Sequence, residues 1–171
     1  MKFLSGMVFG ILVLLAAGAA FVGTGLFNTA AIVPPGALER KVAAIALDRS
    51  VQRRAPKAGN PLKAGPEVLR EGLAHYKAMC VTCHGGPGVD ASEAGEGLNP
   101  PAPDLTTGKV QRRTDGELFW LVQSGIRMTG MPAFGPTHKD EEIWKIVTFL
   151  RRLPALSPDE ARELKTAGEK E

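Results

Sequence analysis

The chain has 171 residues, a formal net charge of +3 and 44% hydrophobic residues, which suits one modest domain with appendages. The positive charge belongs to residues 36–63, which carry seven Lys or Arg against two acidic residues, whereas residues 64–156 carry ten against eleven. Because no basic stripe interleaved with aromatic residues appears, the composition disfavours nucleic acid as a partner.

The first element along the chain is an uncharged apolar segment from Phe3 to Phe27, preceded by Lys2. Its 25 residues would form a helix about 37 Å long at ~1.5 Å per residue, enough to cross a bilayer with some tilt. The alternative is a cleaved signal peptide, for which the Ala-Gly-Ala string at residues 17–19 offers a cleavage site. We favour an uncleaved transmembrane anchor over residues 1–28, because the apolar run continues beyond that string.

Residues 29–64 are predicted to form a juxtamembrane helix and a flexible linker. The segment from Ala37 to Arg54 has helical spacing, with Leu38, Val42 and Ile45 on one stripe. Its basic side chains either meet anionic headgroups near the anchor or only keep a solvated linker soluble. Residues 55–65, rich in Pro and Gly, are predicted to be a flexible joint.

Residues 65–156 are predicted to form the globular domain, followed by a polar C-terminal tail at 157–171 that frays. Helical patterns start at Pro66, at a Thr114 to Glu117 capping box, and at Asp140. Between them, residues 85–103 form a Gly/Pro-rich loop with few apolar side chains, and no strand pattern of useful length appears. The prediction is therefore an all-α domain.

Both cysteines fall in one string, Cys80-Val81-Thr82-Cys83-His84, which is the attachment sequence of c-type haem. Thiols at this spacing can each bond to one vinyl group of the porphyrin, and His84 then supplies an axial nitrogen to the iron. A thioredoxin-like redox pair needs a βαβ setting, and a zinc site needs further ligands, whereas the other two histidines lie far apart in sequence. A disulfide between the two cysteines would close a very short loop. The sequence therefore predicts one covalently bound haem c.

From about Pro66 to Pro154 the chain resembles class I cytochrome c domains. The matching pieces, in order along the chain, are Gly72, Tyr76, the CxxCH string with Gly85, Pro103-Asp104-Leu105, Gly130-Met131-Pro132 and Trp144. With the apolar segment included, the chain is similar to a single-haem, membrane-anchored cytochrome c. The resemblance implies a class I cytochrome c fold, with three to five helices around the haem, preceded by one transmembrane helix.

The resemblance also implies roles for residues around the haem. A proline carbonyl accepts a hydrogen bond from the ligating histidine in this family, and Pro103 matches best, although Pro100 and Pro101 lie close by. The sixth ligand would be Met131, with Met128 as the alternative. The apolar wall would include Leu105, Phe119, Trp120, Phe134 and Trp144. Arg112, Arg113 and Arg127 either pair with haem propionates or are solvated surface residues.

The expected function is one-electron transfer between redox protein partners in the membrane or the periplasm, because no constellation of acid, base or nucleophile accompanies the haem motif. Thioether attachment takes place outside the bacterial cytoplasmic membrane, which predicts a haem domain in the periplasm, anchored by one helix or released by signal cleavage. The alternatives are a subunit of a dehydrogenase or oxidase, or a haem peroxidase or gas sensor with an open sixth position.

Overall fold

A computed structural model of the protein describes residues 2–168, and nine α-helices are present in this part of the chain. The helices are α1 (Lys2–Gly23), α2 (Ala37–Arg54), α3 (Pro66–Met79), α4 (Val81–His84), α5 (Glu93–Glu96), α6 (Gly108–Gln111), α7 (Asp115–Ser124), α8 (Asp140–Arg152) and α9 (Pro158–Gly168). A 3₁₀ turn, Leu153–Ala155, follows α8. No strand occurs among these residues, so the all-α prediction is confirmed.

The chain divides into two units, one up to Val33 and one from Pro34 onward. In the first unit, α1 presents its apolar side chains, from Phe3 at 86% exposure to Val22 at 65%, to the surroundings. Among the described residues, Phe3–Gly23 is the one helical stretch long and apolar enough to cross a membrane. At ~1.5 Å per residue its 21 residues span about 32 Å, close to the thickness of a bilayer's hydrocarbon core.

The core of the second unit lies where α3 crosses α8. Gly72 permits this close approach, because a Cβ atom there would lie 2.8 Å from Cβ of Phe149 and closer still to the carbonyl oxygen of Lys145. One turn further along α3, Tyr76 is fully buried, with its ring centroid 5.4 Å from that of Phe149. The apolar face of α8, with Ile143, Ile146 and Val147 fully buried, fills the space between α3 and α7.

The start of α7 is fixed by the predicted capping box. The Thr114 hydroxyl accepts a hydrogen bond from the Glu117 amide at 3.2 Å, and the Glu117 carboxylate accepts one from the Thr114 amide at 2.8 Å. The capped start of α7 sets the position of Phe119, whose ring stacks on Trp144 of α8 with centroids 4.2 Å apart. The stack joins α7 to α8, so Trp144 packs these two helices against each other.

Residues 55–65, for which the sequence predicts a flexible joint, make specific contacts with α7 and α8 in the structure. Ala55 is buried, and the Asn60 side-chain amide donates hydrogen bonds to Thr148 Oγ1 at 2.9 Å and to the Trp144 carbonyl oxygen at 3.2 Å. A Cβ at Gly116 would clash with the carbonyl oxygen of Pro56, so this segment lies directly on the start of α7. Long-range hydrogen bonds of this kind leave no signal in local composition, which indicates only turns and loops.

Most of the C-terminal tail, for which the sequence predicts fraying, is helical and packed in the described residues. Helix α9 packs on α3 and α4, and Leu164 is fully buried with Cδ2 positioned 2.8 Å from where a Cβ of Gly86 would lie. Two ion pairs flank the contact, Arg152 with Glu160 at 3.1 Å and Lys77 with Glu163 at 3.7 Å. The segment has few large apolar residues, so its composition predicts a solvated tail, yet Leu164 is buried in the contact with the haem-binding turn.

Replacing Leu164 with alanine is expected to lower the free energy of unfolding by about 2–3 kcal/mol, because deleting a buried leucine loses transfer free energy and leaves a cavity. Chemical denaturation of the haem-loaded protein measures the change. Lys165→Ala, at the exposed neighbouring position, is the control and should stay within about 0.5 kcal/mol of the parent. Equal stabilities for the two variants would show that α9 is undocked in solution.

Candidate functional site

The two thiols and His84 lie on a single helical turn directly after α3. Cys80 ends α3 and begins α4, and its carbonyl oxygen accepts hydrogen bonds from the Cys83 amide at 3.2 Å and from the His84 amide at 2.9 Å. Neither cysteine forms a disulfide. The turn ends at Gly85 with φ +58°, where a Cβ would lie 2.6 Å from the Val89 carbonyl oxygen, so glycine is required there.

The acidity of the thiols distinguishes this turn from a redox-active dithiol. Burial, followed by the neighbouring Cys83, raises the pKa of Cys80 to about 12. A catalytic dithiol instead needs a thiolate with a depressed pKa, usually at a helix N-terminus in a βαβ unit. In the described part of the chain there is no strand, and no group of three or more His, Cys, Asp or Glu is arranged to hold a metal ion. Neither the thioredoxin-like nor the zinc interpretation therefore gains support.

His84 is held by a carbonyl from the loop that follows the CxxCH turn. Its Nδ1 lies 2.8 Å from the carbonyl oxygen of Pro103, and neither Pro100 nor Pro101 provides this acceptor. Burial lowers the pKa of His84, and the contact with Pro103 raises it in part. A neutral imidazole that donates through Nδ1–H has its Nε2 lone pair free, which is the form that ligates iron.

The position of the Pro103 carbonyl is fixed by a turn at the next residue. Oδ1 of Asp104 accepts hydrogen bonds from the amide and the hydroxyl of Thr106, both at 2.7 Å. These two bonds, the hydroxyl first, lower the pKa of Asp104. The carboxylate thus stays ionised near neutral pH and stabilises the local turn. The sequence identified the Pro103-Asp104-Leu105 string only by resemblance, and the Asx turn gives it a physical role.

Met131 lies in the loop between α7 and α8, and Thr129 organises that loop. The Thr129 hydroxyl donates to the Ile126 carbonyl oxygen at 2.8 Å and accepts from the Met131 amide at 3.2 Å. Gly125, with φ +64°, admits the returning chain, because a Cβ there would lie 2.6 Å from the carbonyl carbon of Pro132. Nothing in the sequence assigned Thr129 a role. A threonine hydroxyl that bonds to the backbone two residues later is nevertheless a common feature of turns.

The two candidate methionines differ sharply in exposure. Met131 is partly buried and packs against the hydrophobic core. Met128 is 91% exposed and has a φ of 60°, in the left-handed region that a methionine rarely adopts. A thioether that ligates iron in a dry pocket has to be buried, so the surroundings of Met131 suit a ligand and those of Met128 do not.

The five residues of the predicted apolar wall differ in how far other side chains bury them. Leu105 and Phe134 are partly buried and pack on the core, and Phe119 and Trp144 belong to it. Trp120 is half-buried and projects from the same helix as Phe119 without joining that core. The wall residues therefore include side chains that still have apolar surface to cover.

The three arginines suggested for propionate pairing have other surroundings. Nη2 of Arg113 lies 2.6 Å from Oδ1 of Asp48 in α2, so its side chain is engaged with the N-terminal helix of this unit. Arg112 and Arg127 are exposed. The structure thus favours the interpretation of these arginines as surface residues over a role at the haem.

Tyr76 joins the helix before the thiols to the turn after them. Its buried hydroxyl donates a hydrogen bond to the Gly85 carbonyl oxygen at 2.8 Å. Burial, and then Cys80 and Asp104, raises the pKa of this phenol, so it remains protonated as a donor. The sequence marked Tyr76 as part of a resemblance, and its hydrogen bond shows that it braces the CxxCH turn.

Removing this hydroxyl with Tyr76→Phe is expected to lower the free energy of unfolding by about 1–2 kcal/mol, because the Gly85 carbonyl loses its buried donor. Thermal and chemical unfolding of the haem-loaded protein measure the loss. The ring itself is retained, so the Tyr76–Phe149 packing serves as an internal control. A stability equal to that of the parent would contradict the bracing role.

The residues described above fit a covalently attached haem. Two thiols separated by two residues share one turn with a half-buried histidine, and the Nδ1 contact of that histidine leaves one ring nitrogen for iron. The following loop supplies little apolar filler of its own, as its partly exposed Leu98 and its glycines show. A flat apolar cofactor is the kind of group that such a set of donors and uncovered side chains can accept.

Comparison with known protein families gives one match. Residues 67–150, from the first turn of α3 to near the end of α8, match the family described as cytochrome c oxidase, cbb3-type, subunit III. No curated protein matches the chain. The matched segment contains the CxxCH turn, Pro103 and the Met131 loop, whereas α1, α2 and α9 lie outside it.

Proposed function

Because residues 67–150 form a class I c-type cytochrome domain, we propose that the chain is a one-electron carrier with a single haem c ligated by His84 and Met131. The observation that carries this proposal is the 2.8 Å contact between His84 Nδ1 and the Pro103 carbonyl oxygen on the CxxCH turn. It fixes the ring orientation and the tautomer that iron ligation needs. Cys80 and Cys83 would hold the porphyrin through thioethers.

When bound, haem c supplies a couple between ferric and ferrous iron, which exchanges one electron with a partner. Pro103 keeps His84 oriented, and Thr129 keeps the Met131 loop closed. Leu105, Trp120 and Phe134 would cover the cofactor and exclude water. A neutral thioether ligand and a dry shell both favour the ferrous state and raise the reduction potential. None of these side chains performs acid–base or nucleophilic chemistry, so we propose that the domain is not itself an enzyme.

We place the haem domain in the periplasm, held by α1 as a single-pass anchor with its N-terminus in the cytoplasm. Thioether attachment outside the cytoplasmic membrane supports this orientation. Release as a soluble periplasmic protein, after cleavage near Ala17-Gly18-Ala19, is the alternative. Mass spectrometry of the purified chain distinguishes the two outcomes by the presence or absence of the residues up to Ala19.

A second candidate function is that of an electron-transferring subunit in a membrane oxidase or dehydrogenase. The family match supports it, since that family is described as an oxidase subunit. Mild detergent extraction followed by affinity purification tests it. A stoichiometric partner containing its own redox centre would assign the chain to a complex, whereas a chain purified alone and reduced or oxidised by other cytochromes would support a mobile carrier.

The central experiment is expression of the full chain with the machinery for haem attachment. We expect haem that stays bound in denaturing gel electrophoresis, one per chain, and a reduced form that does not bind carbon monoxide. The matched variants Cys80→Ala and Cys83→Ala should each lose one thioether, and His84→Ala should lose stable haem attachment. Tight binding of carbon monoxide by the parent would instead indicate an open sixth position, as in a peroxidase or gas sensor.

A further inference from the structure

Helix α2 has two faces with different surroundings. On one face, Val51 is fully buried against the haem domain, and Asp48 pairs with Arg113 at 2.6 Å. On the other face, Leu38, Val42 and Ile45 are exposed by 76%, 56% and 53%. Their spacing of four and three residues places them on one line along the helix. Among the described residues of this unit, Met128 is the one other large apolar side chain with such exposure.

Three cations accompany this apolar line. Lys41 lies three residues after Leu38, Arg49 four after Ile45 and Arg53 four after Arg49. All three cations therefore follow the same side of the helix, and all three are exposed. The acidic residues of α2 are engaged elsewhere. Glu39 accepts a hydrogen bond from the Gly36 amide at 3.3 Å, and Asp48 is held by Arg113. The exposed side of α2 is therefore both apolar and positively charged.

The surface of an anionic bilayer matches both properties. Apolar side chains bury into the boundary between headgroups and acyl chains, while Lys and Arg at the edges attract anionic headgroups. The chain also holds α2 near such a surface. Only residues 24–36 separate α1 from α2, and thirteen residues reach no more than about 45 Å when fully extended. A tethered surface needs little intrinsic affinity, because its effective concentration is high.

From these observations we infer that the line of Leu38, Val42 and Ile45, with Lys41, Arg49 and Arg53, docks on the anionic surface of the membrane that α1 spans. The inference uses the anchor of the proposed function and does not depend on the haem. Because Val51 and Asp48 fix α2 to the haem domain, the docking would also fix the orientation of that domain toward the bilayer.

Tryptophan fluorescence in lipid tests the inference on the full haem-loaded chain. Ile45→Trp places a reporter on the apolar line, and Ala44→Trp places one next to it, on the side of the helix that shares the line of Val51. Each variant is reconstituted in vesicles of phosphatidylcholine and phosphatidylglycerol, with and without brominated acyl chains. The parent, with Trp120 and Trp144 alone, supplies the background. Quenching by haem is the same with and without bromine in the lipid, so the ratio of the two emissions isolates contact with lipid.

For Ile45→Trp we expect about a twofold loss of emission with brominated lipid, because apolar faces of interfacial helices lie ~5–10 Å into the boundary region. For Ala44→Trp we expect little change. The charge-reversed combination Lys41→Glu, Arg49→Glu and Arg53→Glu, or vesicles of phosphatidylcholine alone, should remove most of the difference. Equal quenching of the two reporters, or quenching of neither, overturns the inference.

Two further outcomes are also decisive. In the first, the emission of Ile45→Trp changes only after another membrane protein is co-reconstituted. This result would assign the surface to that protein and overturn the lipid assignment. Loss of the residues up to Ala19, seen by mass spectrometry, would remove most of α1 as a tether and overturn docking beside an anchor. Covalent haem and the axial ligands are read separately by absorption, so failure here is distinguishable from failure of the proposed electron-transfer function.

Discussion

Replacing Met131 with alanine is expected to abolish the thioether-to-iron charge-transfer absorption of the oxidised protein and to lower its reduction potential. The drop should be on the order of 0.1 V, a fraction of the roughly 0.8 V range that axial ligands set. The reason is that a neutral, soft sulfur stabilises ferrous iron relative to ferric iron. Absorption spectroscopy and potentiometric titration measure the two effects, and binding of carbon monoxide to the reduced variant reports the opened position.

Met128→Ala is the matched control, since it removes a thioether from the same loop. Met128 is 91% exposed, and we expect its replacement to leave the absorption band and the potential unchanged. The reverse result, with the band lost in Met128→Ala and kept in Met131→Ala, would transfer the ligand role to Met128. Loss of the band in both variants would indicate that the loop as a whole, rather than one sulfur, determines ligation.

Replacing Gly72 with alanine is expected to lower the free energy of unfolding by about 2–3 kcal/mol, because the new methyl group overpacks the α3–α8 crossing. The Cβ would lie 2.8 Å from Phe149 Cβ and closer to the Lys145 carbonyl oxygen, which is backbone and cannot turn away. Helix propensity acts in the opposite direction, since alanine in a helix interior is favoured over glycine by roughly 0.5–1 kcal/mol. A lower free energy of unfolding would therefore show that overpacking dominates, and a higher one that helix propensity does.

Ala74→Gly, at an exposed position of the same helix, measures the propensity term alone. It should cost about 1 kcal/mol, and adding this amount to the Gly72→Ala loss gives the full steric penalty. Denaturant unfolding, followed by both helical circular dichroism and haem absorption, supplies the data. A Gly72→Ala protein more stable than the parent would show that the steric penalty at the α3–α8 crossing is smaller than the gain in helix propensity.

The parts of the fold that the sequence predicted are those with local causes. The Thr114–Glu117 capping box, Pro66 at a helix start and the apolar spacing of α8 each act within one or two turns, and α7, α3 and α8 begin where these signals lie. The CxxCH string is equally local. Its thiols and His84 share one helical turn because they are neighbours in the chain.

The parts that it missed depend on distant partners. Asn60 bonds to α8 across more than eighty residues, and Leu164 fits a space left by Gly86. Nothing in the composition of the two segments distinguishes a docked loop or tail from a solvated one. At the site, Pro103 needed the three-dimensional contact to separate it from two neighbouring prolines. The relative exposure of Met131 and Met128 likewise became visible only in the folded chain.

The docking of α9 has a consequence for the order of assembly. Leu164 follows His84 by eighty residues, so a chain that emerges from its N-terminus presents the attachment string before α9. Until α9 has emerged, Leu164 cannot cover the Gly86 side of the turn that follows His84. On the proposed function, the Gly85–Gly86 turn is therefore open to the enzymes of haem attachment during this interval, and packing of Leu164 closes one side of it.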